Sequence, residues 1–204
     1  MDPSIRFVIH RAEMLDCGLQ YYLSARLAFR NNMLKSGMMN AFWAMEYFLL
    51  SSLCLKYKSL DELKAQVPLH NLDVYWREVG KILSLPEPIV KRFQPTISQV
   101  NSFFKLRYPV ADELKSRVVY VGSGKKPKMT DGKGNNVYVE ESYKIDLNKI
   151  DHFASFWLFH FSSSDSGSLA EWLASYNCND TYRESNKYSL SPPAQYNGEK
   201  ELDQ

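Results

Sequence analysis

The chain has 204 residues, of which 45% are hydrophobic and 24% charged, a balance typical of one globular domain with a buried core. The formal net charge of +2 is too small to indicate binding to nucleic acid or membranes by itself. Cys17, Cys54 and Cys178 lie far apart without CxxC spacing, which argues against a zinc site and a disulfide framework. This cysteine usage and the absence of a signal-peptide pattern lead us to expect a cytoplasmic protein. We expect no metal and no cofactor, because the sequence shows no ligand set for either.

Helical spacing of apolar residues predicts the first two helices. The first is expected over 13–34 and is followed by a turn at Ser36-Gly37, with Gly37 as the stop. The apolar run 38–57 predicts a second helix at the centre of a bundle. A membrane span is disfavoured because Glu46 lies at the middle of this run, where a carboxylate is costly in a bilayer.

The middle of the chain predicts three further helices. The capping-box sequence at 59–62 starts a short helix that Pro68 ends. Longer helices are expected over 72–83 and over 89–108. Pro95 lies inside the last range, where it either kinks the helix or marks its true first turn.

The pattern then changes from helical to strand spacing. Segments 117–121 and 137–143 carry Val and Tyr residues, and the chain between them is rich in Gly, Lys and Asn. These features predict a β-hairpin with a long loop, inserted at about 117–143 before the last long helix.

The C-terminal part predicts one long helix over 147–161 and a short one that opens with a capping box at 168–171. Beyond residue 177 the chain is polar, so we expect a domain over 1–177 and a loosely ordered tail over 178–204. The predicted fold is mainly α, an up-and-down bundle of four or five helices with the inserted hairpin.

Three short motifs in this arrangement resemble the HEPN (higher eukaryotes and prokaryotes nucleotide-binding) family. The family's second helix typically carries an Ala-rich apolar run with a lone Glu, as in 41–50 with Glu46. Its third helix often begins at a His, here His70, and many fourth helices end in Arg-Tyr-Pro, here 107–109. The resemblance covers about 13–161. It implies an up-and-down helical module that forms homodimers through its first and fourth helices and binds RNA or a nucleotide.

The resemblance also implies where a ligand lies and whether it is cleaved. The implied binding residues are Arg107, Tyr108, Glu46 and His70. HEPN ribonucleases carry a His four to six residues after the Arg, whereas the chain after Arg107 reads Tyr-Pro-Val-Ala-Asp-Glu-Leu. Because the proton-transfer group is missing there, the resemblance implies a non-catalytic module.

Two alternatives to a non-catalytic module stay open. One is a divergent metal-independent endoribonuclease, in which His70 or Tyr108 replaces the missing base and Arg107 stabilises charge on the phosphate. The other is a structural subunit of a toxin–antitoxin or defence system, whose ligand is a protein partner of the nucleotidyltransferase type.

Arg26 and Glu46 are charged residues within apolar stripes, which predicts that both are buried. Buried charges are tolerated when they are paired, so we expect Glu46 to pair with Arg26 or with Arg107. Such a pair either fixes the register of the helices or leaves a spare arginine that binds phosphate.

The Gly- and Lys-rich loop at 122–128 is a further candidate for phosphate contact through Lys125 and Lys126. It does not match a P-loop, which would need Gly at Val119 and Ser or Thr at Lys126. A solvated basic loop is the alternative. His152 and His160 are expected to be structural, because their spacing does not suit a metal site.

Overall fold

The computed structural model describes residues 3–104, 119–122, 129–130, 133–134, 136–137, 141–144, 146–165, 179–184 and 186. The described chain is mainly helical, as predicted. Its helices are α1 (Pro3–Arg30), α2 (Leu34–Leu53), α3 (Leu60–Gln66), α4 (Leu72–Ile82), α5 (Glu87–Ser102), α6 (Leu147–Asp165) and α7 (Asn179–Arg183). Its strands are β1 (Val119–Gly122), β2 (Met129–Thr130), β3 (Asn136–Val137) and β4 (Glu141–Lys144). The predicted helix after the capping box at 168–171 lies outside the described residues.

Helices α1 and α2 pack against each other more extensively than any other two elements in the described chain. The expected turn at Ser36-Gly37 is wrong, because α2 already begins at Leu34. Asn32 makes the turn instead, with a φ of 57°, a left-handed conformation that asparagine tolerates better than most residues. Gly37 is buried within α2 under the ring of Phe29. The absence of a Cβ atom at this position therefore permits close packing of the helices and not a chain reversal.

Gly18 allows a second close approach between the same two helices. A Cβ atom built on Gly18 would lie 2.5 Å from Cδ1 of Phe48, whose side chain is fully buried. Gly80 in α4 is a contrasting case, because its nearest atom, Cγ2 of Val90, would lie 3.4 Å from such a Cβ.

Gly18→Ala should lower the free energy of unfolding by about 1–3 kcal/mol, because the added methyl group overpacks the α1–α2 contact. Gly80→Ala should leave stability unchanged or raise it by up to about 1 kcal/mol, since alanine favours the helix. Urea denaturation of both variants measures the difference. Equal stability of the two variants would contradict the tight contact at Gly18.

Helix α2 lies at the centre of the bundle, as its apolar sequence predicts, and contacts α1, α4, α5 and α6. A cluster of aromatic rings from α4, α5 and α6 fills the core beside it, and its members are Trp76, Phe93, Phe153, Phe156 and Trp157. None of the helices in the described segments combines the length and the apolar character that a membrane crossing requires.

Side-chain caps fix the connection from α3 to α4. The hydroxyl oxygen of Ser59 accepts from the backbone N–H of Glu62 at 3.1 Å, which confirms the predicted capping box. Asn71 caps α4 by accepting from the N–H of Val74 at 3.2 Å. Helix α5 begins at Glu87, so the alternative that Pro95 marks its first turn is wrong. The caps hold in place the short segment that carries His70.

The strands of the predicted insertion do not form the expected hairpin. Strand β1 pairs with β4 in parallel, from Val119 beside Glu141 to Gly122 beside Lys144. Only the short strands β2 and β3 among the described residues pair antiparallel. Strand spacing in a sequence predicts extended backbone but not the direction of pairing, so this part of the prediction is wrong.

The segment after residue 178 is not a loose tail throughout. Residues 179–183 form α7, and Tyr182 and Asn186 are buried against α1 and α6, with exposed fractions of 1% and 4%. The ring of Tyr182 meets that of Tyr22 edge-on at 6.2 Å between centroids. The expectation of a loosely ordered tail is therefore wrong for the described residues 179–184 and 186.

Candidate functional site

Arg26 is fully buried and holds the C-terminal segment on the bundle. Its guanidinium forms an ion pair with Asp151 of α6 and donates through Nε to the carbonyl oxygen of Thr181 at 2.9 Å. Nη2 donates to the carbonyl oxygen of Glu184. The hydroxyl of Tyr22 donates to Oδ1 of Asp151 at 2.7 Å. The arginine thus ties α1 to both α6 and α7.

These contacts correct the expected partner of Arg26. The arginine pairs with Asp151 rather than with Glu46, because α6 and not the middle of α2 lies against that side of α1. Burial is the largest single effect and lowers the pKa of Arg26. The hydrogen bond that Arg26 donates to Asp151 and the charges of Tyr22 and Asp151 together outweigh it, so the net shift is upward. All three nitrogen atoms of the guanidinium donate to acceptors inside the fold. We therefore assign Arg26 to stability and not to phosphate binding.

Asp151 is a residue that the sequence reasoning missed, although the sequence carried a signal for it. It is the one carboxylate within the apolar run from Ile150 to Phe161. A lone acidic residue in such a run indicates a buried partner for a lone basic residue elsewhere. The sequence therefore allows Arg26 and Asp151, each a lone charge in an apolar stretch, to be paired.

Glu46 has a different partner, which brings together two of the predicted site residues. Its Oε1 lies 2.8 Å from Nδ1 of His70, and the carboxylate is buried on α2. The His70 side chain is 35% exposed, so the imidazole lies between a buried carboxylate and the surface. This arrangement holds the Nδ1 side of the ring against the protein, while about a third of the side chain stays exposed.

Aromatic rings surround the imidazole of His70. Phe104 stacks on it with centroids 5.1 Å apart and an interplanar angle of 21°, and Trp43 meets it edge-on at 5.6 Å. Tyr21 lies 6.5 Å from the ring of Trp43 and stacks on Tyr47 at 5.6 Å. All five of these side chains are partly exposed. Together His70, Trp43 and Phe104 form what we call the His70 site, and the buried carboxylate of Glu46 contacts its imidazole.

A network of polar side chains joins the start of α4, next to His70, to α5. Asn101 of α5 accepts from the N–H of Leu72 at 3.0 Å and donates to Asp73 at 2.7 Å. Gln94 donates to the other oxygen of Asp73 at 2.8 Å. These bonds lock the start of α4 to α5 and so keep the neighbouring His70 in a fixed place.

Tyr75 lies directly beneath the site. Its hydroxyl accepts from the backbone N–H of His70 at 3.2 Å, and its side chain is buried. Burial, together with the nearby carboxylate of Glu46, raises the pKa of Tyr75 to about 12. The hydroxyl therefore stays protonated at neutral pH.

Four other predicted site residues lie outside the described residues. They are Arg107, Tyr108, Lys125 and Lys126. The structure thus unites Glu46 with His70 and separates Arg26 from them. Within the described segments, no group of three or more His, Cys, Asp or Glu side chains is placed to hold a metal ion.

Comparison with known proteins adds no relative: no family model, no curated protein and no solved structure matches this chain. Membership of the HEPN family stays a prediction from the sequence motifs. The structure defines the chain as a mainly helical domain, and the His70 site is its candidate functional site.

Proposed function

We propose that this chain is a non-catalytic, HEPN-like module that binds RNA or a nucleotide at the His70 site. One observation carries the proposal: a half-exposed imidazole is anchored on a buried carboxylate and flanked by aromatic rings. Unpaired bases are recognised in proteins by stacking on such rings and by hydrogen bonds to their edges.

The composition of the site supports this ligand class. The side chains around His70 are aromatic, and the polar groups are few and fixed, as is usual in sites that take a flat ring with polar edges. Phe104 stacks on His70 and precedes the Arg-Tyr-Pro motif of 107–109 closely in the chain. The family resemblance assigns phosphate contact to Arg107 of that motif, which would add a charge-assisted bond next to the base.

Titration of labelled single-stranded RNA and of mononucleotides tests the proposal. His70→Ala should weaken binding of the RNA about tenfold or more, because stacking and one hydrogen bond are lost. His152→Ala is the matched control, since that imidazole packs on Phe93 at 4.9 Å, away from the site. Equal affinities of the two variants would refute binding at His70.

A divergent metal-independent ribonuclease is the second candidate. The observation in its favour is the hydrogen bond between Glu46 and Nδ1 of His70, because a carboxylate that orients an imidazole prepares the other nitrogen to accept a proton. This candidate requires cleavage of RNA or tRNA that is lost in both His70→Ala and Arg107→Ala. Intact RNA after incubation with the wild type would exclude it for those substrates.

Dimerisation is part of the proposal, and the support for it is the family resemblance. In that family two copies meet through the first and fourth helices, which correspond here to α1 and α5. Light scattering should give twice the 23.7 kDa mass of one chain. A monomeric mass at micromolar concentration would remove this part of the proposal.

A further inference from the structure

The backbone of His70 adopts an unusual conformation. Its φ is 58°, in the left-handed region that is unfavourable for residues with a Cβ atom. Among the described residues other than glycine, Asn32 and Ser84 share this feature, and both are exposed residues in turns that follow a helix. His70 differs from them because its side chain enters a polar contact with the buried Glu46. A conformation of this kind persists only when the surrounding structure enforces it, and it often marks a functional residue.

Tyr75 is placed to enforce the conformation. It lies in the first turns of α4, and side chains in a helix lean toward the N-terminal end. Its hydroxyl therefore reaches back over the start of the helix and accepts the N–H of His70 at 3.2 Å. The backbone at His70 is held by this bond on one side, while the imidazole is held by Glu46 at 2.8 Å on the other.

We infer that Tyr75 is a positioning residue for the His70 site: its hydroxyl fixes the backbone of His70 so that the imidazole meets Glu46 and presents its free edge to the ligand. This inference rests on the proposed function only for the identity of the ligand. A phenyl ring would fill the core equally well, so the hydroxyl is needed for the bond to His70 and not for packing.

Tyr75→Phe tests the inference, and Tyr182→Phe is its matched control. Both tyrosines are 1% exposed, and each hydroxyl has a hydrogen-bond partner, which is Ser155 for Tyr182. Tyr75→Phe should weaken binding of labelled single-stranded RNA about threefold to fivefold, as expected for one lost hydrogen bond, and Tyr182→Phe should change it less than about twofold. In a His70→Ala background the effect of Tyr75→Phe should vanish, because Tyr75 acts through His70. An equal effect in both backgrounds would overturn the inference.

A second readout separates this inference from the proposed function. Nitrogen-15 NMR of labelled histidine reports the bond between Nδ1 of His70 and Glu46 without any ligand. We expect Tyr75→Phe to shift the His70 signals while Tyr182→Phe leaves them in place. Unchanged His70 signals in Tyr75→Phe would overturn the inference, even if RNA binds. Shifted signals in a protein that binds no RNA would uphold the positioning role and reject the proposed function.

Discussion

Arg26→Met should lower the free energy of unfolding by about 3–5 kcal/mol, the usual cost of leaving one partner of a buried ion pair alone. Methionine keeps most of the side-chain volume but cannot neutralise Asp151, which is 1% exposed. The carbonyl oxygens of Thr181 and Glu184 also lose their donor. Urea denaturation measures the loss. In the Arg26→Met variant, hydrogen exchange should be accelerated more in α7 than in α2.

Arg30→Met is the control for this prediction. Arg30 lies on the same helix and pairs with Glu184, but the two side chains are 37% and 52% exposed. Solvent screening limits the effect of such a pair to about 1 kcal/mol or less. The double variant Arg26→Met with Asp151→Leu should recover part of the loss, because no charge is then buried alone. If Arg26→Met were no more harmful than Arg30→Met, the account of the C-terminal segment would be wrong.

Alkaline pH should destabilise the fold steeply through three buried tyrosines. Burial and the neighbouring Asp151 raise the pKa of Tyr22 well above its usual value. Burial raises the pKa of Tyr182 and of Tyr75 to about 12. In the unfolded chain all three titrate near pH 10. Above about pH 10 the unfolded state therefore releases protons that the folded state retains, and each tyrosine lowers the free energy of unfolding by about 1.4 kcal/mol per pH unit.

Urea denaturation at several pH values between about 9 and 11 measures this slope. The contribution of these groups is fully present below pH 10 and is lost as the pH rises toward 12. Tyr182→Phe should lower the slope by up to about 1.4 kcal/mol per pH unit, since the contribution of one tyrosine is gone. The chain has 13 tyrosines, and phenolate absorbance should show a subset that titrates only when the fold is lost. Titration of all of them near pH 10 in the folded protein would contradict the prediction.

Helical periodicity in the sequence was sufficient to locate the bundle, but not the contacts between distant elements. The apolar run with Glu46 at its middle predicted a central helix, and α2 is central because an all-round apolar surface must be covered on every side. Gly37 does not make the expected turn, since a glycine that permits close packing and one that permits a turn look alike in a sequence.

The candidate site was predicted in part. The burial of Arg26 and Glu46 followed from their positions within apolar stripes, but their partners depend on how α6 and the segment before α4 pack, which no local pattern encodes. The packing of α7 against α1 could not be predicted from the sequence for the same reason. Its backbone carbonyls accept from Arg26, and backbone acceptors leave no trace in the residue types. Tyr182 is an aromatic residue of the described segment 179–184, and its residue type is compatible with the burial that the structure shows.

The measurement that tests the central proposal most directly is one titration of end-labelled single-stranded RNA with wild type, His70→Ala and His152→Ala, with the RNA recovered and sized afterwards. The account predicts saturable binding by the wild type and by His152→Ala, much weaker binding by His70→Ala, and RNA of unchanged length in every sample. Cleavage by the wild type and by His152→Ala, but not by His70→Ala, would move the conclusion to the ribonuclease candidate. Absence of saturable binding by the wild type, or binding that does not depend on His70, would contradict the proposed function.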